Sequence, residues 1–325
     1  MKTNPTFKYV DFSRLVTLLQ TPRGNPSTWL GIMRNWFNNW TNLKPLEDTH
    51  GNFFLQVGKS EPTTMFTAHY DTVDSPKTPT GHTKGLVYYR KEKIITLSPE
   101  AKKRHKCLGA DDGAGCEALV AMAEAGVPGL YCWFSNEERG ATGSRGFLKD
   151  HKDGILTTIK RVVSFDRKGT NSVITSQGWG IEGCCSPEFS RALGLQLEGY
   201  IPDNSGIFTD SAVFMETHSE CTNLSVGYHN EHSGEETLEV GVLDHLVGRC
   251  IRNVQWDKLP ALRDPSVTTL PMEQEEDIYD LVIAYPDVAH QLIIDYGLEA
   301  ELLDRIDEDT QWGGHDRYDE YLGNF

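Results

Sequence analysis

Histidines and carboxylates follow the ends of four short apolar runs in this chain, and another carboxylate lies in a turn before an apolar stretch. Polar groups that end apolar strands cost several kcal/mol when they are buried without partners, so such residues indicate a shared site. The candidate site residues are His69, Asp71, Asp111, Glu137, Glu138, Asp166 and His232. Together they supply imidazole and carboxylate groups, with no thiolate.

These residue types suit a pair of divalent metal ions. Carboxylate and imidazole ligands favour Zn²⁺, with Mn²⁺ and Co²⁺ as alternatives. Two ions about 3.5–4 Å apart need a bridging carboxylate, a bridging water and terminal ligands on each side. In a His-X-Asp pair such as His69 and Asp71, the acid can hold the second imidazole nitrogen and select its tautomer. Adjacent glutamates such as Glu137 and Glu138 can divide their work, one binding metal and one taking a proton from the metal-bound water.

The elements that must position these residues follow an alternating pattern of strands and helices. This pattern predicts an α/β fold, with a mixed, mostly parallel, doubly wound sheet and helices on both faces. In such open sheets, ligand sites form beyond the carboxyl ends of the strands. Strands are predicted in 52–58, 63–71, 129–138, 161–169 and 222–232, helices in 11–20, 26–43, 112–125, 142–151, 187–197 and about 237–255, and a β-hairpin in 85–97.

Charge is distributed unevenly along the chain. The segment 273–325 holds 16 acidic residues and two arginines, so it carries −14 of the net charge of −16. We therefore expect two regions: a catalytic domain in 1–255, and a Pro-containing linker with an acidic, helical C-terminal extension in 256–325. Neither region suits nucleic acid or an anionic membrane. The acidic tail is a candidate for homo-oligomer contacts or for a basic partner.

The compartment is expected to be the cytoplasm. No run approaches the roughly 20 apolar residues of a membrane span. The first residues lack the apolar core of a secretion signal, and the seven cysteines are scattered without a metal-binding spacing.

The chain resembles the co-catalytic dizinc exopeptidases, the group of zinc aminopeptidases, tripeptidase-like metallopeptidases and related deacylases. The resemblance covers about residues 60–240 and rests on five motifs in the family's order. They are TAHYDTVD, LGADDGAG, SNEERGATGSRGF, SFDRKG and GYHNEHSGEE.

The resemblance implies a ligand set and two supporting roles. One ion would be held by His69 and Asp166, the other by Glu138 and His232, with Asp111 bridging both. Glu137 would be the general base that activates the shared water and later protonates the leaving amine, and Asp71 would orient His69.

Two assignments have competitors, and a lid domain is not expected. His229 competes with His232, which matches the family's His-Ser/Thr pattern, and Asp112 competes with Asp111. An acid at Asp112 would instead favour the start of the helix. Only 41 residues separate His69 from Asp111, and 65 separate Asp166 from His232. Neither gap has room for a lid domain of about 100 residues.

The segment GIFTDSAVF (206–214) resembles a family segment near the substrate pocket, which makes Asp210 a candidate pocket residue. The hairpin in 85–97 and the loop near 200–210 are candidates to form walls of the site.

The function expected from these residues is hydrolysis of peptide bonds by an aminopeptidase acting on short peptides. A carboxypeptidase or an N-acyl-amino-acid amidohydrolase could use the same metal centre, with Arg139, Arg145 or Arg167 binding a substrate carboxylate. A non-catalytic binding protein on this fold is a third reading, which the intact site residues disfavour. Nucleotide binding is excluded because LGADDGAG has neither the Walker lysine nor the Gly-X-Gly-X-X-Gly spacing.

Overall fold

The structure is a computed structural model that describes residues 5–74, 83–177 and 183–267. The helices of these residues are α1 Phe12–Gln20, α2 Trp29–Trp40, α3 Pro99–Lys102, α4 Ala110–Glu124, α5 Thr142–His151, α6 Pro187–Gln196 and α7 Val240–Arg252. The strands are β1 Leu46–Glu47, β2 Phe53–Val57, β3 Thr64–His69, β4 Leu86–Tyr89, β5 Ile94–Leu97, β6 Gly129–Phe134, β7 Arg161–Arg167, β8 Ser172–Ile174, β9 Ile201–Asp203, β10 Glu220–Ser225, β11 Tyr228–His229 and β12 Thr237–Glu239.

The main sheet of the described residues has eight strands in the order β1-β2-β6-β3-β7-β10-β8-β9. Its four central strands, β6, β3, β7 and β10, run parallel to one another. The strands β1, β2 and β8 add antiparallel pairings toward the edges. The predicted mixed, mostly parallel sheet is therefore confirmed.

Helices cover both faces of this sheet, as predicted. Successive side chains of a strand point to opposite faces. In β6, Trp133 packs edge-on against Phe37 of α2 and donates its indole N–H to the Cys116 carbonyl of α4. The next residue, Phe134, packs edge-on against Phe147 of α5 on the opposite face. Both β3 and β6 are buried along their whole length, as expected for central strands that are covered on both faces.

A smaller antiparallel sheet has the order β11-β12-β5-β4. The predicted hairpin in 85–97 is present as β4 and β5, with Leu86 opposite Leu97. The pattern does not predict β1, β8 or β9, because two or three residues contain no readable period. For the same reason it assigns Thr237–Glu239, which forms β12, to the helix that begins at Val240. Apart from this small sheet, no further domain is inserted between the main-sheet strands in the residues that the structure describes.

The chain that follows α7 packs against the main sheet as far as Arg263. The Trp256 ring packs edge-on against Phe66, with 4.7 Å between ring centroids. Arg161 donates to the Pro260 carbonyl at 3.1 Å, and buried Glu220 accepts the Leu262 N–H. The predicted acidic helices after 272 lie outside the described residues. None of the described helices is long and apolar enough to cross a membrane.

Candidate metal centre

The parallel strands bring the predicted site residues to one edge of the main sheet. His69 is the last residue of β3, and its register partner in β6 is Phe134. Glu137 and Glu138 follow β6 in a short 3-10 turn, and Asp166 lies near the end of β7. His232 lies in the turn between β11 and β12, seven residues after the end of β10. Residues far apart in sequence therefore meet because their strands end together.

Asp111 approaches from the turn that precedes α4. Gly109 has a φ of +82°, in the left-handed region that favours glycine. Asp111 and Asp112 have non-helical backbone angles, and the peptide bond between them is cis. The Asp112 carboxylate accepts the Gly115 N–H at 2.9 Å and the His69 N–H at 3.2 Å. Asp112 thus caps the helix, which leaves Asp111 facing the site.

Asp111 joins two groups of potential metal ligands. Its Oδ1 lies 2.9 Å from His69 Nε2, and its Oδ2 lies 3.2 Å from His232 Nε2. His69 Nε2 is also 3.5 Å from Asp166 Oδ1, and His232 Nε2 is 3.1 Å from Glu138 Oε1. In each group of three, one ligand atom from each residue lies within 4.8 Å of the others. One carboxylate therefore contributes an oxygen to each group.

Glu137 and Asp71 lie next to this centre. Glu137 Oε2 is 3.9 Å from His69 Nε2, and the Glu137 N–H donates to Asp71 Oδ1 at 3.1 Å. His69 Nδ1 faces the Asp71 carbonyl at 3.1 Å and its carboxylate at 3.6 Å. Asp71 thus contacts both the imidazole of one segment and the backbone of the other.

The electrostatics of the centre reflect many buried carboxylates. Burial lowers the pKa of His69, but the surrounding carboxylates raise it well above its ordinary value. Burial likewise opposes protonation of His232, while Asp111 and Glu138 raise its pKa to about 12. Burial and the Asp111 charge raise the pKa of Glu138 to about 7, and burial also raises the pKa of Glu137 well above its usual range. The cluster therefore favours the binding of positive charge.

The structure separates the two competing histidines. His229 Nε2 pairs with Glu239 Oε1 at 2.8 Å, and its side chain is about one third exposed. His232 is the histidine that contacts Asp111. Asp210 is 1% exposed, and its place in a substrate pocket stays a prediction. Burial raises the pKa of Asp210 to about 7.

Two contacts to Asp166 are absent from the sequence-based set. Thr209 donates its hydroxyl to Asp166 Oδ2 at 2.7 Å, and the Tyr228 hydroxyl lies 3.1 Å from Oδ1. Both residues belong to segments that the resemblance had marked, GIFTDSAVF and GYHNEHSGEE. Their role was missed because a hydroxyl that supports a ligand has no spacing rule of its own.

The donor set suits two divalent cations. Each group offers imidazole nitrogen and carboxylate oxygen without thiolate, and the shared carboxylate places the groups side by side. The residues present therefore fit a dinuclear centre.

Comparisons with known proteins agree with this chemistry. The model of peptidase family M28 matches residues 54–223, slightly more than half of the chain. Aminopeptidase PepT from Bacillus cereus superposes with a TM-score of 0.57 and 16% identity, over 75% of this chain and 98% of that chain. A tripeptidase from Staphylococcus aureus superposes with a TM-score of 0.55 and 15% identity, over 75% of this chain and 98% of that chain. A TET1 peptidase from Pyrococcus horikoshii superposes with a TM-score of 0.51 and 17% identity, over 75% of this chain and 99% of that chain. No curated protein sequence matches. At these identities, the structural likeness establishes the fold.

Proposed function

The chain belongs to peptidase family M28, and on that premise we propose that it is a dizinc aminopeptidase acting on short peptides. Family membership makes it a metal-dependent peptidase; the use of two ions, the choice of Zn²⁺ and the substrate class are our proposal. The observation that carries it is the Asp111 carboxylate, whose two oxygens face two separate histidine groups at 2.9 and 3.2 Å.

The chain's own residues divide into two binding groups. His69 and Asp166 would hold one ion, Glu138 and His232 would hold the other, and Asp111 would contact both. Bound divalent cations supply Lewis acidity, which polarises a scissile carbonyl and lowers the pKa of a water molecule toward about 7.

Glu137 is the proposed proton carrier. Its carboxylate lies 3.9 Å from His69 Nε2 and is partly exposed, so it can reach both a ligand site and a substrate. It takes the proton from the attacking water and returns it to the leaving amine. Asp71 positions this base by accepting the Glu137 N–H, and it orients His69 through contacts to Nδ1.

The three arginines near the ligands each have a contact within the protein. Arg167 donates to the Ser205 hydroxyl and carbonyl, and Arg139 lies against the Trp29 ring. Arg145 donates to the Gly140 carbonyl and lies over a neighbouring phenyl ring. Each guanidinium thus has a partner within the protein, and the aminopeptidase proposal does not need any of them to bind a substrate carboxylate.

The compartment that we propose is reducing and cytoplasmic. All seven cysteines are buried and unpaired, which supports a protein that keeps its thiols reduced.

Hydrolysis of a substrate panel tests the proposal. Unblocked aminoacyl anilides, dipeptides and tripeptides are compared with N-acylated counterparts, with and without a chelator. We expect turnover of substrates with a free amino terminus only, and loss of that turnover on chelation. Preferred hydrolysis of N-acyl amino acids would instead establish the amidohydrolase alternative.

The variant Glu137→Gln tests the mechanism. Removing a general base costs about 10²–10⁴-fold in rate, so we expect kcat to fall by about 10³ with metal binding retained. Glu235→Gln is the matched control. Glu235 lies in the same segment as His232, but its side chain is exposed and pairs with Lys102. A Glu137→Gln protein as active as the wild type would disprove this role.

A further inference from the structure

A buried arginine binds the carbonyl of Gly109, and a buried glutamate binds its N–H. Arg23 Nη2 donates to the Gly109 carbonyl at 2.6 Å, and Glu236 Oε2 accepts the Gly109 N–H at 2.8 Å. We call Arg23 and Glu236 the Gly109 clamp.

Each residue of the clamp also binds a second backbone group, at or next to a proposed metal ligand. Arg23 Nη1 donates at 2.8 Å to the carbonyl of Tyr70, which lies between His69 and Asp71. Glu236 Oε1 accepts the N–H of Asp111 itself at 2.9 Å. Glu236 also belongs to the turn that carries His232. The clamp thus connects the three segments from which His69, Asp111 and His232 come.

The burial of the two side chains indicates that these contacts are specific. Arg23 is 1% exposed and Glu236 is completely buried. Among the described residues, no carboxylate lies within 4 Å of the Arg23 guanidinium nitrogens, so backbone carbonyls bind this cation. A buried charge is costly to keep, and replacing buried ionic groups by well-packed apolar side chains is often neutral or stabilising. The bonds of Arg23 go instead to the two segments that must stay in register.

Steric contacts leave the Gly109 turn little freedom. A Cβ at Gly109 would lie 3.2 Å from Arg23 Nη2 and 3.5 Å from Lys84 Nζ. The Lys84 ammonium, paired with Asp74 at 2.8 Å, donates to the carbonyls of Cys107 and Leu108. The backbone before Asp111 is therefore held at three consecutive residues.

We propose that Arg23 and Glu236 are positioning residues that hold the Asp111 carboxylate between the two histidine groups and thereby set the metal affinity of the centre. This inference rests on the proposed dinuclear function. Neither residue lies in the segment 54–223 that the family model matches. Groups that orient metal ligands typically change metal affinity by about 10–100-fold when they are removed.

Metal titration of the full chain tests the proposal. The metal-stripped protein is titrated with Co²⁺ and followed by visible absorption, with a competing chelator to define Kd. The variants are Arg23→Met, Arg23→Lys and the isosteric Glu236→Gln, whose new NH₂ group faces one of the two N–H donors. We expect each variant to raise the Kd by about 10–100-fold.

Two matched controls separate positioning from general stability. Arg14 is also buried and joins the N-terminal segment to α4, through Glu117 at 2.6 Å. Glu220 is also completely buried and accepts the Ser186 N–H, away from the centre. Arg14→Met and Glu220→Gln should lower the melting temperature and leave the Kd for Co²⁺ within about twofold of the wild type.

Hydrogen exchange of the metal-free protein provides a readout that needs no metal. The Gly109 and Asp111 amides donate to Glu236, so Glu236→Gln should accelerate their exchange, and Glu220→Gln should not.

The outcomes distinguish the inference from the proposed function. The positioning proposal would be overturned if Glu236→Gln bound Co²⁺ as tightly as the wild type, or lost no more affinity than the controls. This outcome can be measured even if Arg23→Met fails to fold. Loss of affinity in the clamp variants alone would support it. A wild-type protein that binds Co²⁺ but cleaves no peptide would refute the aminopeptidase proposal without affecting this comparison.

Discussion

Replacing Gly109 with alanine tests the crowding around the turn that carries Asp111. Gly126, which follows α4 at its other end, is a matched control because its φ is +80°, against +82° at Gly109. A Cβ at Gly126 would meet no atom of the described residues within 4 Å. At Gly109 it would lie 3.2 Å from both Arg23 Nη2 and Thr72 Cγ2. The two substitutions thus share their backbone strain and differ in their contacts.

The expected loss follows from these two contributions. A left-handed backbone costs an alanine about 1–2 kcal/mol, and this is the whole expected cost of Gly126→Ala. Gly109→Ala adds the cost of an extra methyl group in a packed site, about 1–3 kcal/mol. We therefore expect its free energy of unfolding to fall by about 3 kcal/mol, against about 1.5 kcal/mol for Gly126→Ala.

Urea unfolding of the metal-free protein, followed by tryptophan fluorescence, measures both values. The wild type and the two variants are compared at the same pH and ionic strength, and the slope with urea must stay constant. Co²⁺ titration of the same samples should show weaker binding in Gly109→Ala only. Equal losses of stability in the two variants would refute the contact argument, because the left-handed backbone strain alone would then account for both losses.

Two further predictions concern histidines. His232→Ala should bind one equivalent of Co²⁺ fewer than the wild type and lose most of the activity. His229 pairs with Glu239 instead, so His229→Ala should keep both equivalents. Identical Co²⁺ stoichiometries in the two variants would contradict the assignment. His218 is buried, and burial lowers its pKa below the ordinary 6.5. The unfolded state then binds the proton more readily, so the stabilising contribution of neutral His218 is present above pH 6.5 and is lost as the pH falls from 6.5 through the lower pKa of the folded protein. The urea midpoint of His218→Gln should therefore depend less on pH on the acid side, and an unchanged dependence would contradict this.

Much of the fold could be predicted because its signals are local. Ser186, which precedes a proline, and Asp11 mark the starts of two helices. The side chains of Ser186 and Asp11 accept backbone N–H groups of the first turn in each helix. The apolar runs of β3 and β6 predict buried strands, and both are buried throughout. The prediction that 256–325 forms a separate extension is still untested, and most of that segment lies outside the described residues.

The sequence by itself determined which residues have the chemistry of the centre and at which strand ends they occur. Residue type and its distance from an apolar run are properties of a few neighbouring residues, and the motifs add their order. Only the tertiary structure decided that His232 rather than His229 meets Asp111, and that Arg23 and Glu236 hold the Gly109 turn. These contacts join residues that are 47 to 127 positions apart. Such contacts depend on how parallel strands and turns pack together, which no local pattern encodes.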